Sequence, residues 1–531
     1  MRRAIANFFG ARPNHGMHAP SMVRLEVTFP ALLVALSAAW ALGTLVFGPH
    51  FHADDAYIVA RYAENLVHHG RLVWNVGEAP VEGFTGYTLL IVMMIASWLH
   101  IPPLAAATTL GVISWFVGAR ILYSCHAPLG ASPLAGAVAA SLFLCAAEQS
   151  THAISGLETE FFMMLTIACA AIAARRCHEK PGAGSLWPLP LLATLCGFTR
   201  PEGIVVGGAF LLGVLIRERA AWRAWLPAIA VGLVLPLGAL HLFRRIYFGS
   251  FFPNTYYAKL GKTGEFGVFW SSFAAHAQKY LVPALIAAVA VTAIVRFSGG
   301  RPASPSDSTR HARRVFFLGA GLSYAVIGAS YVRSDLVMNY SERFAYHFFG
   351  LSSLLVLLAV GEVHRHFRSI VAPRALRSCI FVLVAVCLYL PVANAIEQLP
   401  RERIYRASYS LGTNTHYIPV AHWLKEHFPP HATLAVYPDA GIVPYSTRLR
   451  TIDFGKLNDT YLARTARDPS AVVEYFFRQN PDALMIHLVR GFDKTYDEAG
   501  DRLLADPRFS QYRLILLSLD QGIGTALFVK R

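Results

Sequence analysis

Long apolar runs recur along the first three quarters of the chain, and they constrain its fold more than any other feature. A helix that crosses a bilayer needs about 20 apolar residues, or somewhat fewer when neighbouring helices bury its ends. The chain has eleven such candidates: 30–48, 103–122, 133–149, 161–174, 186–198, 203–216, 225–243, 280–296, 315–330, 346–362 and 378–396. With 55% hydrophobic and 15% charged residues, the composition excludes a disordered chain and an ordinary soluble enzyme, which carries about 25% charged residues. It predicts a polytopic membrane protein.

The basic residues indicate the orientation of these spans. A net charge of +15 would suggest nucleic acid in a soluble protein, but cytoplasmic loops of membrane proteins collect Lys and Arg. We therefore predict no nucleic-acid partner. Arginines precede the first run, which indicates a retained signal anchor with a cytoplasmic N-terminus. With eleven spans, the loops near residues 175–180, 217–223, 301–314 and 365–377 all lie inside, and only Arg244 and Arg245 are left as outer exceptions.

A twelfth apolar run, Gly86 to Leu99, is too short to cross the membrane. Its 14 residues would form about 21 Å of helix, against a hydrocarbon core of about 30 Å. Pro102 and Pro103 follow it and end any helix there. We predict a re-entrant or interfacial helix that returns to the side from which it came. Counting it as a full span would place all four basic loops outside.

The last part of the chain has a soluble composition. A helical stretch near 420–428 precedes apolar strand candidates at 433–437, 483–488, 514–519 and 525–529. This pattern predicts a small α/β domain on the outer side, without the glycine-rich motifs of a nucleotide site. No cysteine follows Cys387 and no CxxC occurs, so neither a disulfide framework nor a zinc site is supported. The predicted domains are a cytoplasmic N-terminus at 1–28, a transmembrane domain at 29–397 with a first outer loop at 49–102, and a periplasmic domain at 398–531.

Two adjacent carboxylates, Asp54 and Asp55, stand a few residues past the first span. An Asp at this place often caps a helix, where it favours the positive end of the helix dipole. Neighbouring helical residues point about 100° apart, so one Asp could cap while the other faces a cavity. The helix that follows is amphipathic and is expected to lie along the membrane interface.

Several segments in this order resemble the GT-C superfamily of integral membrane glycosyltransferases. Within that superfamily they are similar to the AftB-like arabinofuranosyltransferase branch. The resemblance covers most of 30–350 and, loosely, the outer tail. Phe84 stands where Tyr is usual, and His68-His69 precede Gly70. The matching segments are Asp54-Asp55-Ala56-Tyr57-Ile58, Arg61-Tyr62-Ala63-Glu64-Asn65-Leu66, Gly70-Arg71-Leu72-Val73-Trp74-Asn75, Val81-Glu82-Gly83-Phe84-Thr85, Ser155-Gly156-Leu157-Glu158-Thr159, Thr199-Arg200-Pro201-Glu202-Gly203, Phe248-Gly249-Ser250 and Pro253-Asn254-Thr255-Tyr256-Tyr257-Ala258-Lys259.

The resemblance implies a polyprenyl-phosphate sugar as the donor. The acceptor hydroxyl must lose a proton as it attacks, and a carboxylate can take it as a general base. We expect Asp54 to be this base, with Asp55 as its positioner or the less favoured base. The leaving phosphate needs positive charge and hydrogen-bond donors. Candidates for that contact are Arg200, Lys259, Tyr256, Tyr257 and Arg343, although Arg200 and Lys259 could also be interfacial anchors.

The remaining candidates are expected to contact sugar or acceptor: Glu158, His152, Asn254 and Glu82. Glu158 could equally be a first-turn acidic residue, and His152 could be structural. Asp439, in the sequence Tyr437-Pro438-Asp439-Ala440-Gly441, reads either as a turn residue or as an acceptor contact. A divalent cation such as Mg²⁺ or Mn²⁺ could lie between Asp54 or Asp55 and Glu158, and this question stays open.

The sequence thus predicts a mainly α-helical GT-C type bundle of about eleven spans in the inner membrane, with a periplasmic α/β domain. Its predicted function is inverting transfer of a sugar, plausibly arabinofuranose, to a hydroxyl of a polysaccharide, glycolipid or protein. The same chemistry with a hexose or aminosugar donor is the nearest alternative. A transporter or flippase is a further alternative, but it would place charges in mid-span, and the carboxylates here cluster at span ends. A non-catalytic scaffold is the third.

Overall fold

The computed structural model describes residues 20–259, 304–331, 339–346, 348–369, 374–465, 468–489, 494–520 and 523–531, with scattered residues between 270 and 293. Most of the predicted span at 280–296 and most of the predicted N-terminal segment 1–28 lie outside the described residues. So does the first half, 298–303, of the Gly/Pro/Ser-rich stretch 298–309, which the sequence predicts to be a cytoplasmic linker.

Helices dominate the chain up to residue 412, and they coincide with each predicted span that falls in the described part. The helices are α1 (Pro20–Val46), α2 (Asp54–His69), α3 (Tyr87–Trp98), α4 (Pro103–Ser124), α5 (Pro133–Cys145), α6 (Ala147–Ile154), α7 (Thr159–Arg176), α8 (Pro188–Thr199), α9 (Gly203–Arg217), α10 (Trp222–Ile229), α11 (Leu235–Tyr247), α12 (Asn254–Lys259), α13 (Asp307–Tyr331), α14 (Arg343–Tyr346), α15 (Phe349–Ser369) and α16 (Arg374–Gly412).

By length and composition, four of the helical segments described here can cross a membrane. They are Thr28–Val46, Pro103–Ser124, Arg219–Tyr247 and Asp307–Tyr331. The number rises to six if two bent helix pairs each count as one span. Others, such as α8 with 12 residues and α9 with 15, are shorter. The total of eleven spans therefore stays a prediction. The short helix expected at Gly86–Leu99 is confirmed as α3, whose 12 residues measure about 18 Å.

The two ends of the bundle collect different loops, as the charge pattern predicts. At one end, Arg176 pairs with Glu218 across 2.7 Å, and Arg313 pairs with Glu362 across 2.5 Å. These pairs join the loops that the positive-inside rule assigns to the cytoplasm. A second group of segments meets away from these pairs, beside the C-terminal domain: Asp55, the loop before α7, the loop after α8, and α14. The side of the membrane that each end faces stays a prediction.

Arg244, which the predicted topology leaves on the outer side, has a structural reason to be there. Its Nε donates to both carboxylate oxygens of Glu82, at 2.9 and 3.2 Å. Both side chains are buried. The pair ties α11 to the first outer loop, because a buried charge must be compensated where it lies.

The tail folds as the predicted α/β unit. Its six-stranded sheet has the order β2-β1-β3-β6-β5, and β4 pairs with β3. The parallel strands β1, β2 and β3 adjoin an antiparallel β3-β6-β5 edge. Strands β2 and β4 were not predicted. The elements are α17 (Ile418–His427), β1 (Thr433–Tyr437), α18 (Ile442–Thr447), β2 (Arg450–Asp453), α19 (Thr460–Arg464), α20 (Pro469–Gln479), β3 (Ala483–Val489), β4 (Lys494–Thr495), α21 (Glu498–Ala505), β5 (Tyr512–Asp520) and β6 (Ile523–Lys530).

The tail is joined to the bundle by a continuous helix. Helix α16 runs through the predicted boundary at 397/398 and ends only at Gly412. Beyond that boundary, Arg406 donates from Nε to the carbonyl of Pro49 at 2.7 Å, and from Nη1 to Ser150 at 3.1 Å. The last turns of α16 therefore hold the first outer loop against α6.

Candidate active site

Five charged side chains from separate segments line one cavity. Asp55 comes from the first turn of α2, Glu158 immediately precedes α7, and Arg200 immediately follows α8. Lys259 ends α12 and Arg343 begins α14. We call this space the reaction cavity. Apolar side chains complete its wall: Ile58, Val59, Leu89, Leu157, Phe344 and Leu457.

Local sequence explains why Arg200 leaves its helix at this point. Helix α8 ends at Thr199, and Arg200 has an extended backbone with φ −146° and ψ 140°. A residue before proline is pushed out of helical geometry, and Pro201 follows. The arginine side chain is thereby placed at the outer end of two neighbouring helices.

Arginines link the two carboxylates of the reaction cavity. Arg343 lies 3.7 Å from Asp55 (Nη1 to Oδ2) and 3.5 Å from Glu158 (Nη2 to Oε1). Arg200 donates to Glu158 at 2.9 Å and to Glu202 at 2.7 Å. Glu158 precedes α7 without capping it, so its carboxylate orients two arginines rather than the helix end.

All three cations lie close to the aromatic ring of Phe344. Its centroid lies 5.7 Å from Lys259 Nζ and 5.6 Å from the guanidinium carbon of both Arg200 and Arg343. The negative face of an aromatic ring attracts cations, which offsets part of their mutual repulsion. Three cations and two carboxylates line the reaction cavity, and a third carboxylate, Glu202, pairs with Arg200 from outside the lining. The wall therefore offers two guanidinium groups and one ammonium as donors to an anion.

Burial shifts the titration of two groups in the reaction cavity. Burial raises the pKa of Asp55, while Arg343 and Lys259 oppose that rise. Burial also lowers the pKa of Lys259, and the nearby Asp55 carboxylate opposes the fall. A carboxylate whose pKa is raised toward the working pH is a better general base.

Asp54 has a different place from Asp55. It is 3% exposed, and its two carboxylate oxygens accept the backbone N–H groups of Gly441 and Ile442, each at 2.7 Å. It thereby holds the start of α18 in the C-terminal domain. Burial and the nearby Asp439 raise the pKa of Asp54. The expectation that Asp54 is the base does not agree with this geometry, because both of its oxygens are engaged outside the reaction cavity.

The expectation that an Asp caps α2 is wrong in its detail. The residue at the N-cap is Ala53, which gives no side-chain hydrogen bond, and both aspartates lie in the first turn. Asp439 belongs to the same contact as Asp54. It accepts a hydrogen bond from Tyr417 Oη at 2.6 Å and lies 3.5 Å from His487 Nδ1.

Of the residues expected to contact sugar or acceptor, only Glu158 lines the reaction cavity. Glu82 is used by Arg244 and by Tyr87, whose hydroxyl donates to it at 2.8 Å. Asn254 donates to three backbone carbonyls between Lys456 and Asp459. His152 lies 3.1 Å from the Ser341 carbonyl. These three side chains therefore hold the outer loops together instead of facing the reaction cavity.

The two tyrosines proposed as phosphate contacts also lie outside the lining. Tyr256 is 44% exposed and stacks on Phe252 with centroids 4.7 Å apart. Tyr257 lies under the guanidinium of Arg464, 4.3 Å from its ring centroid, and its hydroxyl lies 3.2 Å from Ser250. The expectation that they bind phosphate does not agree with these positions.

The predicted cation ligands do not fit a divalent ion as they stand. In the described part of the chain, three or more His, Cys, Asp or Glu side chains do not converge in a metal-binding arrangement. Backbone N–H groups occupy the oxygens of Asp54, and Arg343 lies against Asp55 and Glu158. The metal requirement stays an open prediction, and no step below depends on a metal.

Sequence reasoning proposed none of the uncharged residues of the wall as site residues, and Phe344 and Leu457 are two of them. Phe344 follows Arg343 directly, so an aromatic next to a candidate cation was an available signal. Leu457 lies in the tail between β2 and α19, and nothing in the sequence connects it with the first outer loop. It reaches the reaction cavity because Asn254 and Tyr62 hold its loop, the latter through Asn458 Oδ1 at 3.0 Å.

Solved structures of the GT-C fold are similar to this helical bundle with its C-terminal α/β domain. ArnT from Cupriavidus metallidurans bound to undecaprenyl phosphate matches with a TM-score of 0.51 and 13% identity, over 96% of this chain and 98% of that one. The Archaeoglobus fulgidus oligosaccharyltransferase in its apo form matches with a TM-score of 0.52 and 12% identity, over 86% and 69%. A. fulgidus AglB in complex with an inhibitory peptide and a dolichol-phosphate matches with a TM-score of 0.52 and 12% identity, over 87% and 69%.

The predicted resemblance is confirmed at the level of the GT-C fold. At 12–13% identity the likeness shows the fold alone, so the AftB-like branch stays a prediction. A domain of unknown function, DUF8728, matches residues 402–524 of the tail. No curated protein matches the chain.

Proposed function

We propose that this protein is an inverting glycosyltransferase that uses a polyprenyl-phosphate sugar on the periplasmic face of the inner membrane. The observation that carries the proposal is the reaction cavity. Asp55 lies in it beside three cations, Arg200, Lys259 and Arg343, and the second carboxylate of the lining, Glu158, pairs with the two arginines. A transferase of this kind needs both a base for the acceptor and positive charge for a leaving phosphate.

The cations would hold the phosphate of the donor. Arginine forks and an ammonium are the usual partners of phosphate oxygens, and the reaction cavity supplies two guanidinium groups and one ammonium. Two proteins with this fold have been solved with such carriers, one with undecaprenyl phosphate and one with a dolichol-phosphate. Their ligands support a polyprenyl phosphate as the carrier here.

Asp55 would activate the acceptor. As the acceptor hydroxyl attacks the anomeric carbon, its proton passes to the Asp55 carboxylate. A new C–O bond forms while the bond from the anomeric carbon to the phosphate oxygen breaks. The electron pair leaves with the polyprenyl phosphate, whose charge the three cations stabilise. Glu158 touches Arg200 and Arg343, so we assign it the positioning of these two arginines.

The sugar is proposed from the sequence motifs. The first outer loop and the segment Pro253–Lys259 resemble arabinofuranosyltransferases of the AftB-like branch, which supports arabinofuranose. The acceptor is a hydroxyl on a polysaccharide, a glycolipid or a protein.

The test is turnover by the purified full-length protein with polyprenyl-phosphate arabinose. Release of polyprenyl phosphate is measured with candidate acceptors and with water alone, so the assay does not depend on knowing the acceptor. Asp55→Asn is expected to lower turnover by about 10²- to 10⁴-fold, the usual contribution of a general base. Asp307→Asn, an exposed side chain on α13 that faces away from the reaction cavity, is the matched control and should act as the wild type.

Asp54→Asn separates the two aspartates. We expect it to lower the thermal midpoint by weakening the contact with α18 while some turnover remains. If Asp54→Asn is as inactive as Asp55→Asn but equally stable, the base assignment reverses. If no variant and no donor sugar, hexoses included, gives turnover above background, the proposed function is wrong.

A further inference from the structure

A second cavity lies along the same helix, α2, between the first outer loop and the C-terminal domain. Its volume is about 480 Å³, against about 80 Å³ for the reaction cavity. We call it the basic groove. Its basic lining comes from both domains: Arg61, His68 and His69 on α2, and His431, Arg448 and Arg450 on the tail.

The basic groove carries an excess of positive charge. Three arginines line it, but Glu64 is its one lining carboxylate. Arg448 pairs with Glu64. Arg450 pairs at 2.6 Å with Glu78, which is not part of the groove lining. Counting both carboxylates, one arginine charge is left uncompensated before any histidine is protonated.

That uncompensated charge belongs to Arg61, which is 3% exposed. Its donors reach neutral oxygens, among them the carbonyls of Pro444 and Leu449, each at 2.8 Å. Among the described residues, no carboxylate accepts a hydrogen bond from it. A buried cation held only by neutral groups projects a positive potential into the space beside it. Nothing in the transfer chemistry at Asp55 uses this charge.

The position of the basic groove relates it to the reaction cavity. Asp55 is near the start of α2, and the groove residues occupy the following turns from Arg61 to His69. At 1.5 Å per residue, these turns lie about 9–21 Å along the helix from Asp55. A chain of a few sugar units could therefore reach from the groove to the base.

From this arrangement we infer that the basic groove binds an acidic saccharide segment of the acceptor, through its carboxylate or phosphate groups, while the acceptor hydroxyl lies at Asp55. The inference rests on the proposed function, because it names the class of acceptor for that reaction. It goes further in assigning a separate anion site to side chains outside the reaction cavity.

Binding of three trisaccharide probes tests the inference. The full-length protein is placed in nanodiscs of phosphatidylcholine and titrated with trigalacturonate, phosphorylated maltotriose and neutral maltotriose. The wild type should bind at least one acidic probe ten-fold or more tightly than maltotriose, and that probe identifies the anionic group. Equal affinity for all three probes would contradict the inference.

Two groove variants and a matched control locate the binding. Arg448→Gln and Arg450→Gln should each weaken the acidic probe about ten-fold and leave maltotriose unchanged. Arg502→Gln is the control, because this arginine belongs to the same domain, is similarly exposed and also pairs with a glutamate. Acidic-probe affinities that are the same in Arg448→Gln, Arg450→Gln and Arg502→Gln, at unchanged thermal midpoints, would overturn the assignment.

Two further arms separate the competing explanations. Asp55→Asn should keep the acidic preference, so a loss of turnover with intact binding leaves the basic groove standing. Normal turnover without a preference for the acidic probes would contradict the inference about the basic groove and leave the proposed function standing. Displacement of the acidic probe by phosphatidylglycerol in the nanodisc would assign the groove to a lipid headgroup and overturn the acceptor inference.

Discussion

At the residue scale, two neighbouring aspartates divide two tasks between them. Asp54 holds the C-terminal domain through backbone N–H groups, and Asp55 faces the cations. Which aspartate has which task could not be predicted, because the partners of Asp54 lie 387 and 388 residues away in sequence. Helical geometry predicted that the two would diverge, but it did not indicate which one would face the cavity.

The raised pKa of Asp55 predicts the acid side of the pH–rate profile. The base works only when ionised, so kcat/KM should fall as pH falls through the raised pKa, at a higher pH than an ordinary Asp near 3.9 would give. Burial is the cause, and Arg343 limits the rise. A profile of the wild type that falls only near pH 4 would contradict the prediction. Asp55→Asn, measured alongside, should lose this limb.

At the scale of elements, buried ion pairs fix how the outer loops contact the helices. Removing one partner of such a pair leaves an uncompensated buried charge, which costs about 3–5 kcal/mol. Arg244→Gln should therefore lower the free energy of unfolding by about that amount, through the stranded Glu82. Denaturant titration of the purified protein measures it.

Arg245 provides the control for this prediction. It is the adjacent residue on α11, but it is exposed and donates to the Gly249 carbonyl. Arg245→Gln should change stability by less than about 0.5 kcal/mol, as surface substitutions usually do. Equal effects of the two substitutions would show that the Glu82 pair does not stabilise the fold.

The contact between α2 and α18 depends on a residue without a side chain. A Cβ on Gly441 would lie 1.9 Å from the Asp54 carbonyl oxygen, so the backbones must move apart for any larger residue. Gly441→Ala should destabilise this contact by about 1–3 kcal/mol and increase hydrogen exchange across Ile442–Thr447. Gly412→Ala is the control, because its Cβ would lie at an ordinary 3.6 Å from its nearest neighbour. Equal hydrogen exchange across Ile442–Thr447 in the two variants would contradict the prediction.

At the scale of the whole molecule, the orientation in the membrane can be tested directly. Ile101 is 45% exposed and is predicted to face the periplasm, whereas Arg219 is predicted to face the cytoplasm. In a background without the native cysteines, Ile101→Cys should react with a membrane-impermeant thiol reagent added outside, and Arg219→Cys should not. The reverse pattern would overturn the predicted topology.

Much of the fold was predictable because bilayers and sheets impose simple periodicities. The apolar runs marked the helices, and the basic loops marked one end of the bundle. Four of the six strands followed from their apolar stretches. Strand β2 was missed because Arg450–Asp453 is short and three of its four residues are polar, so only its pairing with β1 defines it.

The candidate site was predictable only in part, for a related reason. Arg200, Lys259, Arg343, Glu158 and Asp55 were found because they stand near the ends of predicted spans, and all but Arg343 lie in the segments that resemble the AftB-like branch. Glu82 and Asn254 share that signal, yet they serve Arg244 and the tail loop. Sequence alone does not distinguish a polar side chain that lines the cavity from one that binds another loop.

The presence of Leu457 in the wall of the reaction cavity has a consequence for engineering. A chimera that takes its C-terminal domain from a relative would place a foreign wall residue beside the native Asp55. Such chimeras should be active only when the segment from Asp54 to Phe84 and the loop from Asp453 to Asp459 come from the same parent protein. The two segments should therefore be exchanged together.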